Sequence, residues 1–123
     1  MSRTRASAKK AGATFERAIA DYLAARVDER IDRRVRNGVK DRGDISALRA
    51  PSGGRVVVEC KDYGGRLLPA QWAGEAEIER GNDDALAGVV VAKRRGTRDP
   101  AQQWALMTLA DLVAILTGER HPQ

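Results

Sequence analysis

The chain has very little of what several classes of protein require. It contains one cysteine and one histidine in 123 residues, so an intrachain disulfide and a Cys/His zinc site within one chain are both excluded. No apolar run approaches the ~20 residues needed to cross a bilayer. The basic N-terminus lacks the apolar segment of a secretory signal. We therefore expect a protein with no membrane association, located in the reducing cytoplasm.

Acidic residues are also in short supply. The chain has 17 acidic and 22 basic side chains, a net charge of +5 and a pI of about 9.9, which favours a polyanionic partner such as DNA. The positive charge falls into three segments, for which a solvated surface is the alternative to phosphate contacts. The predicted DNA-contacting residues are Arg3, Arg5, Lys9 and Lys10, then Arg36, Lys40 and Arg42, and finally Lys93, Arg94, Arg95 and Arg98.

The apolar pattern predicts one α/β domain over residues 12–118, between a basic tail (1–11) and a short C-terminal tail (119–123). The predicted order is helix, three strands, helix, two strands, helix, with a central mixed sheet flanked by helices. Pro69 marks the start of the second helix and Gly81 its end. The predicted segments are a helix over 13–27, strands over 30–38, 44–50 and 55–61, a helix over 68–81, a strand over 85–93, and a short strand and a helix within 102–117.

The second and third strands are separated by Pro51-Ser52-Gly53-Gly54, which predicts an antiparallel hairpin. If Ala50 lies opposite Arg55, then Asp44 lies opposite Lys61 and Ser46 opposite Glu59. Asp44, Glu59 and Lys61 then share one face of the sheet. A slip of one residue would move Asp44 to the other face.

Two carboxylates and an ammonium at the end of an apolar strand predict a metal site. Neighbouring carboxylates disfavour each other's charged form, and a divalent cation removes that cost. Oxygen ligands indicate Mg²⁺ or Mn²⁺, which can activate water and polarise a phosphoryl oxygen. The sole histidine, His121, is near the end of the chain, so metal-activated water suits the lack of a central imidazole base. An ion-pair network at the sheet edge is the alternative for Glu59 and Lys61.

These residues resemble a known nuclease signature. Asp44 followed by Glu59-x-Lys61 after an apolar strand is similar to the PD-(D/E)xK motif, with Gly43 in place of the usual proline. "GATFER" (residues 12–17), "RGDISAL" (42–48) and "VVVECK" (56–61) resemble, in order, three segments of archaeal-type Holliday junction resolvases. The resemblance implies a restriction-endonuclease-like fold, a homodimer and Mg²⁺-dependent cleavage of branched DNA.

The resemblance also assigns roles to individual residues. It implies that Asp44, Glu59 and the backbone carbonyl of Cys60 bind the metal, with Glu16 assisting directly or through water. A solvated surface glutamate is the alternative for Glu16, and the Cys60 side chain is expected to point the other way, into the core. Lys61 is the implied catalytic lysine. Gln71, at the start of the second helix, either assists at the metal or is simply solvated. The dimer-interface candidates, for which burial in the core is the alternative, are Trp104, Leu106, Leu109 and Leu112.

The sequence therefore predicts a metal-dependent, structure-specific DNA endonuclease of the Holliday junction resolvase type. One alternative keeps the nuclease chemistry but directs it at flaps, ends or other DNA. A second alternative is a nucleic-acid-binding protein that has a nuclease fold and no catalysis.

Overall fold

The computed structural model describes residues 3–35 and 41–122. The element order agrees with the sequence prediction, with one 3₁₀ turn added at Pro100–Gln102. The elements are α1 (Arg5–Arg26), β1 (Asp32–Arg33), β2 (Ile45–Ser46), β3 (Val56–Lys61), α2 (Pro69–Asp83), β4 (Ala87–Ala92), β5 (Trp104–Leu106) and α3 (Leu109–Thr117).

One mixed five-stranded sheet runs through the domain in the order β1-β2-β3-β4-β5. β3 and β4 are parallel and connected by α2, while the other neighbours are antiparallel. β3 and β4 consist mainly of valine and alanine and are largely buried, as expected for central strands covered on both faces. The chain is therefore an α/β domain whose sheet is flanked by three helices.

The helices cover the two faces of the sheet unequally. Ile45 and Val58 pack with Ala20 and Ile31, on the face covered by α1, and α3 packs against the same face through Ile115. Trp72 and Ala76 of α2 pack on the other face, against Val90 and Ala92. Trp72 is thus a core residue. Side chains that alternate along β3 consequently face either α1 or α2.

Helix α1 begins eight residues before its predicted start at residue 13. The Thr4 hydroxyl caps it by accepting a hydrogen bond from the Ser7 N–H at 3.1 Å, so residues 5–11, predicted as part of a tail, are helical. The first turns are exposed and have no apolar stripe to announce them. Phe15 and Ile19 of this helix are buried, and Tyr22 is half-buried.

Helix α2 begins at Pro69 as predicted but does not end at Gly81. It continues to Asp83, and Asp84 ends it in the left-handed conformation with φ 48°. The predicted end was wrong because a glycine inside a helix lowers its stability without preventing it.

The hairpin register was also predicted wrongly. Arg55 pairs with Arg49 instead of Ala50, and Val58 pairs with Ile45 where Cys60 was expected. The five residues 45–49 therefore lie opposite the four residues 55–58. The extra residue forms a bulge at Ala47, whose φ is 70°. This bulge interrupts the predicted strand over 44–50 and leaves β2 only two residues long.

No helix in the described part of the chain is long and apolar enough to cross a membrane.

Candidate functional site

Two glutamates are buried side by side between the sheet and α2. Glu59 lies in β3 opposite Val90, which faces α2, and Glu79 lies on α2. Only 7% of Glu59 and 5% of Glu79 are exposed. The Oε2 atom of each is buried without a hydrogen-bond partner among the described residues. A buried, unpartnered carboxylate oxygen is costly, so the two side chains either share a proton, as their mutual effect on each other's pKa indicates, or bind a cation.

Asp41 completes the group. Carboxylate oxygens of Asp41, Glu59 and Glu79 all lie within 4.8 Å of one another, close enough to share one cation. The backbone holds Asp41 in place, since its carboxylate accepts a hydrogen bond from the Gly43 N–H at 2.9 Å. The Asn82 side chain also donates to the Asp41 carbonyl oxygen at 2.8 Å, which ties this loop to α2. We call Asp41, Glu59 and Glu79 the acidic cluster.

Burial and mutual repulsion change the titration of this cluster. Desolvation, followed by the charge of Asp44, raises the pKa of Glu59 to about 10. Desolvation raises the pKa of Glu79 to about 7, with an added contribution from Asp41. The metal-free cluster therefore retains protons near neutral pH, and a divalent cation would have to displace them.

Asp44 lies beside the acidic cluster and forms hydrogen bonds with Val58 and Cys60, the residues on either side of Glu59. Its N–H donates to the Val58 carbonyl oxygen at 2.8 Å, and its Oδ2 accepts a hydrogen bond from the Cys60 N–H at 2.8 Å. The side chain thus takes the place of a backbone carbonyl at the end of the ladder. Because its charge also acts on Glu59, Asp44 belongs to the same electrostatic site.

Lys61 lies at the edge of this site, at the end of β3. Its Nζ is 3.7 Å from Glu59 Oε1 and 3.4 Å from Glu75 Oε1 on α2. Burial alone would lower the pKa of Lys61, but the two carboxylates outweigh it and the pKa is raised. Lys61 therefore remains an ammonium, which suits it to stabilise negative charge and not to accept a proton.

The other predicted site residues lie outside the acidic cluster. Glu16 forms an ion pair with Arg33 at 3.6 Å, on the α1 side of the sheet. The Cys60 side chain packs into the core on that side, as predicted, and burial together with Asp44 and Glu16 raises the pKa of its thiol. Gln71 is exposed in the first turn of α2.

Gly43, the residue before Asp44, has a backbone that only glycine adopts easily. Its φ is 94°, and a Cβ placed there would lie 2.8 Å from Val57 Cγ1 and 2.9 Å from the Val58 carbonyl oxygen. The absence of a side chain allows the loop that carries Asp41 and Asp44 to lie directly against β3.

Two of the three basic segments come together. The first lies at the start of α1 and the third lies in the loop after β4. Within the third segment, the Arg94 guanidinium stacks on the Trp104 ring, 4.6 Å from its centre. In the second segment Arg42 is exposed, whereas Arg36 and Lys40 fall outside the described residues. One cavity is lined by basic residues from both the first and the third segment, namely Arg3, Lys10, Lys93 and Arg98.

Sequence reasoning missed Asp41, Glu75 and Glu79. For Glu79 a signal was present, because Trp72, Ala76 and Glu79 lie at i, i+4 and i+7 on one face of α2, and that face is buried. A carboxylate within an apolar stripe indicates a partner on the sheet. Asp41 gave no such signal, since it is a single acid in a basic, glycine-containing loop.

The pKa values of the cluster predict how stability depends on pH. A carboxyl group whose pKa is raised on folding stabilises the fold fully below its unfolded pKa, near 4.5, and this contribution is lost as pH rises through the folded value. The metal-free protein should therefore become less stable as pH rises from about 5 to 9, and more steeply below about pH 7, where both glutamates lose protons on unfolding, than above it, where Glu59 alone does. Thermal unfolding in EDTA measures this. The double variant Glu59→Gln/Glu79→Gln should flatten the dependence, and stability that rises over this range would contradict the assignment.

Comparisons of the chain with protein-family models, with curated proteins and with solved structures find no match.

Proposed function

We propose that this protein is a divalent-metal-dependent endonuclease that hydrolyses phosphodiester bonds in DNA. The observation that carries the proposal is the pair of buried glutamates, Glu59 and Glu79, whose Oε2 atoms have no partner in the described part of the chain. Asp41 approaches the same point, and Lys61 stands beside it. Carboxylates, a lysine and a strongly basic surface together favour a negatively charged substrate such as a phosphodiester.

The donor atoms of the acidic cluster fit a hard cation. All of them are carboxylate oxygens, the ligands that Mg²⁺ and Mn²⁺ prefer. Asp41, Glu59 and Glu79 would hold the cation, and Asp44 would add negative charge from the side. This proposed ligand set differs from the one that the resemblance implies, because the Asp44 carboxylate is not among the oxygens that lie within 4.8 Å of one another.

The proposed reaction is attack of water on phosphorus with departure of the 3′ oxygen. When bound, the cation would activate water and polarise a phosphoryl oxygen. Lys61, kept protonated by Glu59 and Glu75, would stabilise the negative charge that develops on the phosphoryl group. Glu75 acts as a positioning residue, because it holds the ammonium at the mouth of the site.

The proposal extends to the fold type, substrate and assembly. We assign the domain to the restriction-endonuclease-like type, with branched DNA such as a four-way junction as its substrate. Trp104 is 40% exposed on the edge strand β5, and α3 exposes an apolar face next to it. That face supports a homodimer, which would place one site at each of two strands across a two-fold axis. It consists of Leu109, Leu112, Val113 and Leu116.

A gel assay tests the proposed function directly. A labelled four-way junction and a duplex of matched sequence are incubated with the protein in Mg²⁺, Mn²⁺, Ca²⁺ or EDTA. We expect paired cuts in the junction with Mg²⁺ and Mn²⁺, little turnover with Ca²⁺, and none in EDTA. Sedimentation at micromolar concentration should show a dimer.

Each other outcome of this assay has a definite meaning. Equal cutting of duplex and junction would replace junction specificity with a general nuclease. Tight DNA binding without cutting in any metal would replace the enzyme with a non-catalytic DNA-binding protein. Robust cutting in EDTA would falsify the metal mechanism.

A further inference from the structure

A large cavity lies on the α1 side of the sheet, away from the acidic cluster. Its volume is about 600 Å³, within the range of pockets that bind small molecules. The first half of α1 forms one wall, with Phe15 and Ile19 at the apolar floor. The loops after β3 and β4 form the other wall, through Asp62, Lys93 and Arg98. We call this space the basic cavity.

Positive charge in the basic cavity exceeds negative charge. Four cationic side chains line it, against the single carboxylate of Asp62. Arg3 pairs with that carboxylate at 3.1 Å, and the Lys93 ammonium donates to the carbonyl oxygens of Arg94 and Thr97. Lys10 and Arg98 form no ion pair and no side-chain hydrogen bond with any described residue. Two cations are thus available for an anion at the mouth of an apolar space.

The basic cavity is joined directly to the strand end that carries Lys61. Asp62, in its wall, follows Lys61 in the chain, and the Lys93 N–H donates to the Lys61 carbonyl oxygen at 2.9 Å. Arg3 also donates to the Asp62 carbonyl oxygen at 3.1 Å. The cavity and the acidic cluster therefore lie on opposite faces of the sheet, and both are close to the end of β3 that carries Lys61.

A nucleotide matches the chemistry of this cavity. Its phosphate can pair with an ammonium and a guanidinium, both of which form strong, charge-assisted hydrogen bonds. Its base can pack over the apolar floor of the cavity and exclude water from it. A cavity of this volume is also large enough for one nucleotide unit, whereas a phosphate alone would leave the floor empty.

We propose that the basic cavity receives one unpaired nucleotide of the bound DNA strand, with Lys10 and Arg98 on its phosphate. This inference rests on the proposed function for the identity of the polymer, but not for the cavity itself. An unpaired nucleotide is available at a junction, flap or end, and costs little to extract there compared with one inside a duplex. The cavity would then select for DNA that is not continuously paired.

The test uses the Glu59→Gln variant in EDTA, so that DNA cannot be cut. Binding of dTMP and of fluorescent (dT)₆ is measured by calorimetry and anisotropy. Lys10→Gln/Arg98→Gln should weaken both by about tenfold or more, because two charged hydrogen bonds are lost. Ala11→Phe, which fills the cavity and keeps every charge, should also weaken both by about tenfold or more.

Arg26→Gln/Arg49→Gln serves as the matched control. It removes the same charge from outside the cavity, and we expect less than about a twofold change. Circular dichroism and thermal unfolding first show whether each variant folds like its parent. If Ala11→Phe does not fold, the test depends on Lys10→Gln/Arg98→Gln, which changes only charge and needs no repacking of the core.

Three outcomes overturn the inference. In the first, (dT)₆ binds equally to the cavity variants and to the control, which would assign strand binding to the general surface charge. In the second, only dTMP responds, which would make the cavity a site for free nucleotides. In the third, neither probe binds. Junction cleavage in Mn²⁺, measured in parallel with Glu59 intact, separates the two proposals. If the protein cuts the junction but the cavity variants bind (dT)₆ as tightly as their parent, only the cavity proposal is wrong. If the cavity variants lose (dT)₆ binding but the protein with Glu59 intact does not cut, only the nuclease proposal is wrong.

Discussion

Glu59→Gln should reduce DNA cleavage by about a thousandfold or more, within the range of single catalytic groups and metal-assisted steps. Glu59 is the residue that links the site, since it belongs to the acidic cluster and also lies 3.7 Å from Lys61. The amide keeps the shape of the side chain but cannot neutralise a cation or hold the ammonium. Lys61→Ala should cause a comparable loss by removing the charge on the developing phosphoryl anion, and Asp44→Asn should also abolish cutting. Single-turnover cleavage on the four-way junction measures all three.

The control for these variants is Glu77→Gln. Glu77 lies on the same helix as Glu79 but is half exposed, and it pairs with Arg80 and Arg120 away from the site. The Glu77→Gln variant should cut DNA at the wild-type rate. DNA affinity and circular dichroism should be retained in every variant, which separates loss of chemistry from loss of fold. If Glu59→Gln or Lys61→Ala cut as fast as the wild type, the corresponding role is wrong.

The second large effect concerns metal binding, because the acidic cluster and the set implied by the family resemblance make different predictions. Asp41→Asn and Glu79→Gln should each weaken Mn²⁺ binding by at least about tenfold to a hundredfold, the loss that even an outer-shell partner brings. Asp44→Asn should weaken it less, because that carboxylate is engaged with the Cys60 N–H. Calorimetry in buffers of different ionisation enthalpy checks both the affinity and the release of protons.

The sign of the pH effect follows from the same groups. Since the pKa values of Glu59 and Glu79 are raised, metal binding must displace protons and should tighten from pH 6 to pH 8.5. Mn²⁺ should also raise the unfolding temperature more at pH 8.5 than at pH 6. Glu77→Gln is again the control. If Asp44→Asn weakens Mn²⁺ binding most while Asp41→Asn and Glu79→Gln do not change it, the ligand set of the resemblance is correct and the acidic cluster is not the metal site.

The order of the elements could be predicted because it depends on periodicity. Apolar residues three to four apart announce α1, α2 and α3, and the valine-rich runs announce β3 and β4. The start of α1 could not be predicted in this way, since residues 5–11 pack little apolar surface and depend on the Thr4 cap. The hydrogen bond of the Thr4 cap, and not the hydrophobic pattern, sets the start of α1.

The hairpin shows why Asp44 and Glu59 were predicted to lie close together although the predicted register was wrong. The register is one residue off at Arg49 and two off at Ile45, because Ala47 forms a bulge that no glycine or asparagine signals. A shift of two residues preserves the alternation of side chains, so Asp44 still lies beside Glu59. The acidic cluster depended on side chains brought together from a loop and a helix, a tertiary juxtaposition that strand patterns do not encode.

The conformation of Gly43 has a consequence for substitution at this position. Proline fixes φ near −65° and has no N–H, whereas Gly43 has φ 94° and donates its N–H to Asp41. Proline and glycine at this position are therefore not interchangeable variants of one loop. Replacement of Gly43 by proline would therefore change the path of the backbone and the anchoring of Asp41 together.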